Sequence, residues 1–426
     1  MKMKNIVFGI LFMFHSFPAQ AQEIRASFLS TDDSVIVENT EGNVREYPYG
    51  TTLEPLLGYV DSGMNGRKGL EKYAHADLSS GQEVTLTVDL ALQQQIEAIL
   101  DAGKVLYEAD EILAAVMEST TGKIVAMASS NRYNPAHITQ KEIPSLMPKF
   151  AAYSYEPGFV IAPLTLAIAL DKEYVKPSSI FNTYEGRMQI GEHRFILDDE
   201  KCDTLSATDI IVHASNIGIS QIAWRLTGKE FKEGLQKFGL GRYSGIALPG
   251  DYPGSIKPLS LLNQKLHRAN SAYGYGMRAT FTQLLKAYSV FNNEGISVTP
   301  QLLEFPKNKK AFGTLVTSEK TANQIHEMLL ENVERGIAKN ATYDGLEIGG
   351  ETGTAHIAKH GRYVREYHSS FYGFANDNEA HRYTIGVLVI RAKAKYAYFA
   401  SQSAVPVFRK IVDAIVENGY LKPVKY

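Results

Sequence analysis

The sequence predicts an α+β (α/β) fold on three observations. Residues 84–89 alternate apolar and polar side chains, as a half-buried strand does, and apolar residues at helical spacing follow them. Two apolar runs, 113–118 and 124–128, flank a short polar turn in the manner of a hairpin. Near the end of the chain, the β-branched run 383–390 precedes an amphipathic helix at 404–416.

Composition places the chain among ordinary globular proteins. Its 426 residues are 44% hydrophobic and 21% charged, and this length predicts two or three domains. The formal net charge of -2 lacks the basic excess of a nucleic-acid binder, so no nucleic-acid partner is expected. The single cysteine, Cys202, cannot form an internal disulfide.

The N-terminus has the layout of a secretory signal. A basic segment at 1–4 precedes a mostly apolar run at 5–17, and Ala19-Gln20-Ala21 then supplies small residues for cleavage. The apolar run is shorter than the roughly 20 residues that a membrane span needs. We therefore predict a cleaved signal peptide at 1–21 and an exported mature protein. The alternative is an uncleaved anchor that begins at Lys4.

One stretch near the middle organises the rest of the chain. Residues 155–163 read Tyr-Glu-Pro-Gly-Phe-Val-Ile-Ala-Pro. The Pro-Gly pair interrupts regular structure, and Pro163 suits the first turn of a helix, where a missing N–H costs no hydrogen bond. Residues 164–170 are apolar nearly all round, which predicts a buried helix.

This stretch resembles the active-site motif of the class B penicillin-binding transpeptidases. In that family a nucleophilic Ser follows the Glu-Pro-Gly, and a Lys stands three residues later. Here the two places hold Phe159 and Ala162. The resemblance implies that the helix is the central core helix of the domain.

The second family motif, Ser-x-Asn, aligns with a break in a helical region at 208–226. Its first position is Ala214 and its third is Asn216, while Ser215 stands between them and is not expected to face the cleft. The family role implied for Asn216 is a hydrogen bond to a peptide. The alternative is that Asn216 is a turn or cap residue.

The third motif, normally Lys-Thr-Gly on an edge strand, aligns with Glu351, Thr352, Gly353 and Thr354. The resemblance implies that Thr352, Gly353 and Thr354 are retained for binding, whereas Glu351 replaces the Lys. The Tyr-Gly-Tyr-Gly segment at 273–276, followed by an amphipathic helix, is a further family feature without a catalytic group.

The resemblance covers about residues 45–420. It implies a β-lactamase-like fold, in which helices flank an antiparallel sheet and a helical subdomain forms the other wall of the cleft. We expect a truncated pedestal-like module at 22–82 and a transpeptidase-like domain at 83–426.

Acyl transfer needs a nucleophile, a base, an oxyanion hole and a grip on the substrate. Phe159 offers no nucleophile, Ala162 offers no base and Ala214 cannot relay a proton. An ionised Glu351 would repel a substrate carboxylate by about 4 kcal/mol at 4 Å and an effective dielectric of 20. The sequence therefore predicts a pseudoenzyme with no catalytic residues and no cofactor.

Replacements for the lost groups are few. No serine in the chain has a lysine three residues later, and Ser154 lies outside the expected helix. His356 is the nearest imidazole, but such a residue is more often an ordinary surface residue of a strand. His356 and His360 have a metal-ligand spacing, yet one pair beside a glycine is weak evidence, and no metal site is predicted.

Three functions remain open. The first is a periplasmic scaffold or regulator of cell-wall synthesis, either free or held at the inner membrane, whose partners are other envelope proteins. The second is a module that binds penicillin or peptidoglycan stem peptides through Asn216, Thr352 and Thr354, with Glu351 favouring an amine. The third is an active D,D-transpeptidase with a displaced nucleophile.

Overall fold

The computed structural model describes residues 25–40, 44–304, 313–359 and 361–424. The predicted signal peptide at 1–21 lies outside these ranges, so its cleavage stays a prediction. Within them, no helix is both long enough and apolar enough to cross a bilayer.

Strands and helices alternate irregularly along the chain. The strands are β1 (Phe28–Leu29), β2 (Val35–Thr40), β3 (Val44–Glu46), β4 (Val84–Thr85), β5 (Glu111–Glu118), β6 (Ile124–Ser129), β7 (Ser154–Tyr155), β8 (Ile180–Asn182), β9 (Arg187–Gln189), β10 (Phe195–Leu197), β11 (Thr204–Ser206), β12 (Ala279–Thr280), β13 (Ile296–Ser297), β14 (Thr314–Leu315), β15 (Glu347–Lys359), β16 (Arg362–Asn376) and β17 (Arg382–Ile390). The α-helices are α1 (Gly69–Tyr73), α2 (His75–Ser79), α3 (Leu90–Leu106), α4 (Lys149–Ala152), α5 (Ala162–Asp171), α6 (Ala207–Val212), α7 (Asn216–Arg225), α8 (Gly228–Lys237), α9 (Leu259–Leu262), α10 (Lys265–Ala272), α11 (Phe281–Ser289), α12 (Glu319–Arg335) and α13 (Ala404–Glu417).

The main sheet has five strands in the order β15-β16-β17-β5-β6, and every neighbouring pair is antiparallel. β5 and β6 form the predicted hairpin, and β17 contains the predicted β-branched run. β15 is an edge strand, and side chains engage part of its outer backbone beside the third motif: Asn332 donates to the carbonyl oxygen of Gly350, and the N–H of Thr352 donates to Glu351.

Helices cover both faces of this sheet. On one face α3 and α13 pack on the strands, and the ring of Phe371 meets that of Phe408 edge-on at 4.7 Å. On the other face the rings of Tyr372 and Tyr288 lie 5.6 Å apart and join the sheet to α11. Alternation along β16 sends these two neighbouring rings to opposite faces. The predicted fold of helices flanking an antiparallel sheet is confirmed.

The predicted central helix is α5, and its residues 162–170 are all buried. It packs against α7, α8 and α12, which belong to the helical layer beside the sheet. A helix that is apolar all round needs such neighbours on every side. The predicted helical region at 208–226 is also confirmed, since α6 and α7 are separated by a break at residues 213–215.

The described N-terminal segment packs on the rest of the chain. β1 pairs with β2 and also, in parallel, with β4, so the small sheet joins residues on both sides of position 82. Buried side chains such as Phe28 and Leu56 belong to the same hydrophobic cluster as α5. The boundary between a module at 22–82 and a domain at 83–426 stays a prediction.

The strand predicted over 84–89 is shorter than expected. Only Val84–Thr85 pair as β4, and Leu86 makes an isolated bridge to Leu303. The carboxylate of Asp89 accepts a hydrogen bond from the backbone N–H of Leu92 at 2.9 Å, so this residue caps α3 instead of continuing the strand.

Candidate functional site

The nucleophile position lies at the entrance to α5. Residues Gly158–Ile161 form a 3-10 turn that runs directly into the helix. Phe159 lines the cleft with 8% of its surface exposed, and Ala162 is completely buried. The ring of Phe159 therefore lies in the cleft wall, at the position where the sequence resemblance predicts the nucleophile.

The Tyr-Gly-Tyr-Gly segment packs against this turn. A Cβ atom on Gly274 would lie 2.0 Å from the carbonyl oxygen of Gly158, so only glycine allows the two backbones to approach so closely. Two residues later, the backbone N–H of Gly276 donates to Oε1 of Glu156 at 2.7 Å. The Tyr-Gly-Tyr-Gly segment thus holds the Glu-Pro-Gly turn in place. These two contacts are the physical reason for the spacing of its glycines.

The second motif occupies the start of α7. Ala214 has a left-handed backbone with a φ of 50° and lines the cleft. Ser215 caps the helix by accepting from the backbone N–H of Gly218 at 2.9 Å, and its own hydroxyl donates to Asp198 at 2.5 Å. Ser215 is buried, in agreement with the expectation that it does not face the cleft.

Asn216 is half-buried and lines the cleft, as the family role requires. Its amide Nδ2 donates to the carbonyl oxygen of Leu197 at 3.0 Å, which holds β10 against α7. The alternative role as a helix cap is wrong, because Ser215 fills it. Binding of a peptide by Asn216 stays a prediction.

The third motif lies on β15. Thr352 and Thr354 both line the cleft, and the hydroxyl of Thr354 accepts from the backbone N–H of Ala400 at 3.1 Å. A Cβ atom on Gly353 would lie 2.5 Å from the carbonyl oxygen of Pro157, so glycine is required where β15 crosses the first motif. The edge strand and the Glu-Pro-Gly turn are therefore in direct contact.

Glu351 is fully buried instead of facing a ligand. Its Oε1 accepts from the backbone N–H of Thr352 at 2.7 Å and from Nδ2 of Asn332 at 3.2 Å. Burial raises the pKa of the Glu351 carboxyl well above its usual value, although hydrogen bonds from Thr352 and Asn332 oppose this rise. The expectation that its charge would repel a carboxylate or favour an amine is wrong. Strand alternation turns Glu351 to the face opposite Thr352 and Thr354.

The three motif positions surround a cleft of about 520 Å³. Beyond the residues that the sequence indicated, its wall is largely aromatic, with Tyr273, Tyr275, Tyr367, Tyr398 and Phe399. In the sequence, the first two tyrosines stand out only as neighbours of glycines. A larger cavity of about 600 Å³ lies elsewhere, beside Asp171, Lys237 and Leu315, and contains none of the motif residues.

Comparison with known proteins agrees with this geometry. The family description "Penicillin binding protein transpeptidase domain" matches residues 112–413, which is more than half of the chain. The chain belongs to the penicillin-binding protein transpeptidase family. The matched range includes the segments 155–163, 214–216 and 351–354 and the cleft between them.

Relatives and solved structures of this family extend the match beyond the domain. Stage V sporulation protein D of Bacillus subtilis is 28% identical over 451 aligned positions, which cover 95% of this chain and 68% of that protein. The probable peptidoglycan D,D-transpeptidase PenA of Neisseria flavescens is 28% identical over 351 positions, covering 81% and 85%. The crystal structure of penicillin-binding protein 3 from Mycobacterium tuberculosis superposes with a TM-score of 0.86 at 23% identity, covering 95% and 98%.

The other candidate groups near the cleft are already engaged. Ser154 lies in β7, where its hydroxyl accepts from Nε of Arg278 at 3.0 Å. His356 lines the cleft, and its Nδ1 is 3.1 Å from the carbonyl oxygen of Val364, to which it donates. His360 lies outside the described residues. In the part of the chain that the structure describes, no group of three metal-ligating side chains occurs.

Proposed function

We propose that this protein is a catalytically inactive member of the transpeptidase family, which acts as a scaffold or regulator in peptidoglycan synthesis. The observation that carries this proposal is the ring of Phe159 at the entrance to α5, in the wall of an otherwise intact cleft. A phenyl ring has no atom that can attack a carbonyl group, and it also occupies the space in which such an atom would react.

The groups that would assist a nucleophile are missing as well. Ala162 cannot accept a proton, and Ala214 cannot relay one. Glu351 is buried with a raised pKa and has no cation to offer a carboxylate. The missing catalytic groups belong to different elements of the fold. The glycines that close backbone packing requires are, by contrast, present. Such a pattern supports loss of chemistry in a retained scaffold.

The setting in the cell envelope follows from the relatives and the N-terminus. PenA is named as a probable peptidoglycan D,D-transpeptidase, and the N-terminal residues have the layout of a signal peptide. We place the mature protein in the periplasm, either free or held at the inner membrane by partners. Those partners are other proteins of cell-wall synthesis.

The test is incubation of the purified protein with a fluorescent penicillin, followed by a denaturing gel and intact mass measurement. A family member that carries the motif Ser and Lys serves as the positive control. The expected result is an unchanged mass. A stoichiometric penicillin adduct would overturn the proposal, and peptide mapping would then identify the displaced nucleophile.

One observation favours a second function beside the first. The cleft remains open to about 520 Å³, and Asn216, Thr352 and Thr354 line it beside the edge strand β15. An extended peptide can add to such an edge through the backbone groups that Asn332 and Glu351 do not already engage. We therefore infer that the protein retains peptide binding without turnover.

A further inference from the structure

One end of the main sheet carries a concentration of positive charge. It is formed by the turn that joins β15 to β16 and by the segment that follows β17. Among the described residues of 359–366 and 391–395, Glu366 is the one carboxylate, whereas the cations are Lys359, Arg362, Arg365, Arg391, Lys393 and Lys395. We call this surface the basic sheet end. The whole chain, by contrast, has a formal net charge of -2.

Backbone contacts hold the two segments of the basic sheet end together. The N–H of Arg391 donates to the carbonyl oxygen of Tyr367 at 3.0 Å, and the guanidinium group of Arg391 lies 3.5 Å from Glu366. The ladder between β15 and β16 extends to the pair Lys359 and Arg362. The cations therefore project from hydrogen-bonded backbone, so a partner that binds them has little further chain to order.

Only some of these cations are neutralised within the chain. Asp110 pairs with Arg391 and, at 2.7 Å, with Lys393, and Glu366 pairs with Lys359. The remaining cations are all exposed, and no ion pair engages them within the described residues: Arg362, Arg365 and Lys395. Uncompensated positive charge therefore faces the solvent.

Two exposed tyrosine rings lie among the cations. Tyr363 follows Arg362 and is 54% exposed, and Tyr396 follows Lys395 and is 56% exposed. Nζ of Lys395 lies 5.0 Å from the centre of the Tyr396 ring, so charge and ring belong to one contact surface. Arg and Tyr are enriched among the residues that dominate binding energy between proteins. This composition is typical of a surface that binds another protein.

The basic sheet end is separate from the cleft of the motifs. Arg365, Arg391 and Lys393 line a cavity of their own of about 430 Å³, which contains none of the motif residues. The rings of Tyr367 and Tyr398 are stacked 4.8 Å apart and form the wall that this cavity shares with the cleft. A partner can therefore contact the basic sheet end without entering the cleft.

The small N-terminal sheet meets the main sheet at its opposite end. Just after β4, the hydroxyl of Thr87 donates to the carbonyl oxygen of Ile124 at 2.8 Å, where β6 begins beside the end of β5. The basic sheet end lies where β5 begins, at the pair Glu111 and Ile390. A bilayer that met the N-terminal segment would lie far from these cations, which favours a protein over a lipid surface as their partner.

We propose that the basic sheet end docks an acidic segment, rich in Asp and Glu, of another protein of the cell envelope. This inference rests on the proposed function, because it assigns the surface through which the inactive scaffold meets a partner. Arginine forks pair with carboxylates through two parallel hydrogen bonds, and the uncompensated charge steers an acidic segment toward them.

The experiment is fluorescence anisotropy of fluorescein-labelled deca-L-glutamate with the purified protein at an ionic strength of about 0.15 M. The peptide should bind, and its affinity should fall as salt is added, because mobile ions screen exposed charges. Labelled deca-L-lysine, which carries the opposite charge, should not bind.

A matched pair of double variants locates the contact. Arg362→Glu with Arg365→Glu should weaken peptide binding at least about tenfold. The control is Arg225→Glu with Arg242→Glu, which changes the net charge equally at exposed arginines at the end of α7 and after α8. Its affinity should change less than about threefold, because these charges lie outside the contact.

A variant on the second segment tests the same surface independently of the β15–β16 turn. Lys395→Glu should also weaken peptide binding, since this lysine is exposed beside Tyr396. Urea unfolding establishes that each variant is folded before its affinity is compared.

Equal weakening in the two double variants would overturn the inference, because net charge alone would then explain binding. So would absence of peptide binding at millimolar concentration. Vesicles of phosphatidylglycerol that bind through Arg362 and Arg365 when the peptide does not would assign the surface to a bilayer and overturn it as well. Penicillin labelling does not involve this surface, so failure of the docking assignment leaves the test of catalytic inactivity intact.

Discussion

The side-chain amide of Asn332 donates to Oε1 of Glu351 at 3.2 Å and to the carbonyl oxygen of Gly350 at 2.9 Å. It thereby joins α12 to the strand that carries the third motif. The other carboxyl oxygen, Oε2, is buried and has no hydrogen-bond partner in the described part of the chain. Glu351 is therefore a buried acid whose pKa is raised by burial, and its carboxyl faces Asn332 instead of the cleft.

This environment predicts a pH-dependent effect of Glu351→Gln. The raised pKa means that folded Glu351 keeps its proton at pH values where the same carboxyl in the unfolded chain loses it. Wild-type stability therefore falls as pH rises through this range. Glutamine does not titrate, so the variant should gain up to about 1.4 kcal/mol per pH unit relative to the wild type.

Urea unfolding between about pH 5 and pH 8 measures this difference in the free energy of unfolding. The control is Glu379→Gln, since Glu379 is exposed and pairs with Lys422 at the surface. Its difference from the wild type should be small at every pH. An equally flat profile for Glu351→Gln would contradict the assignment of Glu351 as a buried neutral acid.

Restoring the Ser and Lys of the first motif should restore part of its reactivity toward penicillin, and the Ser should need the Lys to react. Phe159→Ser alone is expected to form a penicillin adduct only very slowly, because Ala162 leaves the serine without a base. The double variant Phe159→Ser with Ala162→Lys should form the penicillin adduct at least about 100-fold faster than Phe159→Ser alone. The changed residues of the second and third motifs should still limit its rate.

Intact mass over time measures the reaction, and Phe159→Ala with Ala162→Lys is the control that lacks a nucleophile. The control should gain no mass. If Phe159→Ser alone reacted as fast as the double variant, another group of the cleft would be acting as the base.

The contact between Gly274 and Gly158 predicts a large loss of stability for Gly274→Ala. The φ of Gly274 is 83°, and its added Cβ would lie 2.0 Å from a backbone oxygen that cannot move without the motif. Gly250 is a matched control, since its φ is 82° and a Cβ there would meet its nearest neighbour at 3.8 Å.

Gly250→Ala should lose about 1–2 kcal/mol of unfolding free energy from the left-handed backbone alone. Gly274→Ala should lose about 1–3 kcal/mol more, because the backbones must separate. Urea unfolding of both variants measures the difference. Equal losses of unfolding free energy in the two variants would show that the backbones at Gly274 and Gly158 can move apart at no cost.

A buried ion triad predicts that the N-terminal segment contributes to the stability of the whole chain. Glu71 is fully buried, and its two oxygens accept from Arg25 at 2.5 Å and from Arg45 at 2.7 Å. Glu71→Ala leaves two buried guanidinium groups with no counter-charge from this residue and should cost about 3–5 kcal/mol.

The control is Glu233→Ala, which removes an exposed pair with Lys229 and should change stability by less than about 1 kcal/mol. Thermal and urea unfolding compare the two variants. A loss for Glu71→Ala no larger than that of the control would mean that the triad is not needed by the rest of the chain.

Much of the fold could be predicted because its signals are local. Apolar periodicity indicated α3 and α13, a segment that is apolar nearly all round indicated α5, and the β-branched run indicated β17. The strand predicted at 84–89 was too long, because the capping role of Asp89 depends on where the next helix begins. Local patterns indicate that a segment is half-buried, but they do not show at which residue the strand ends.

The sequence by itself determined which chemical groups are missing. Phe159, Ala162 and Ala214 lack reactive atoms in any conformation, and the motif frame identified their positions. Only the tertiary structure decided which way the retained and replaced side chains point. Glu351 turns inward to Asn332, and the cleft wall brings together aromatic residues between positions 273 and 399. Strand alternation and close backbone packing produce both results, because they act between segments that are distant in sequence.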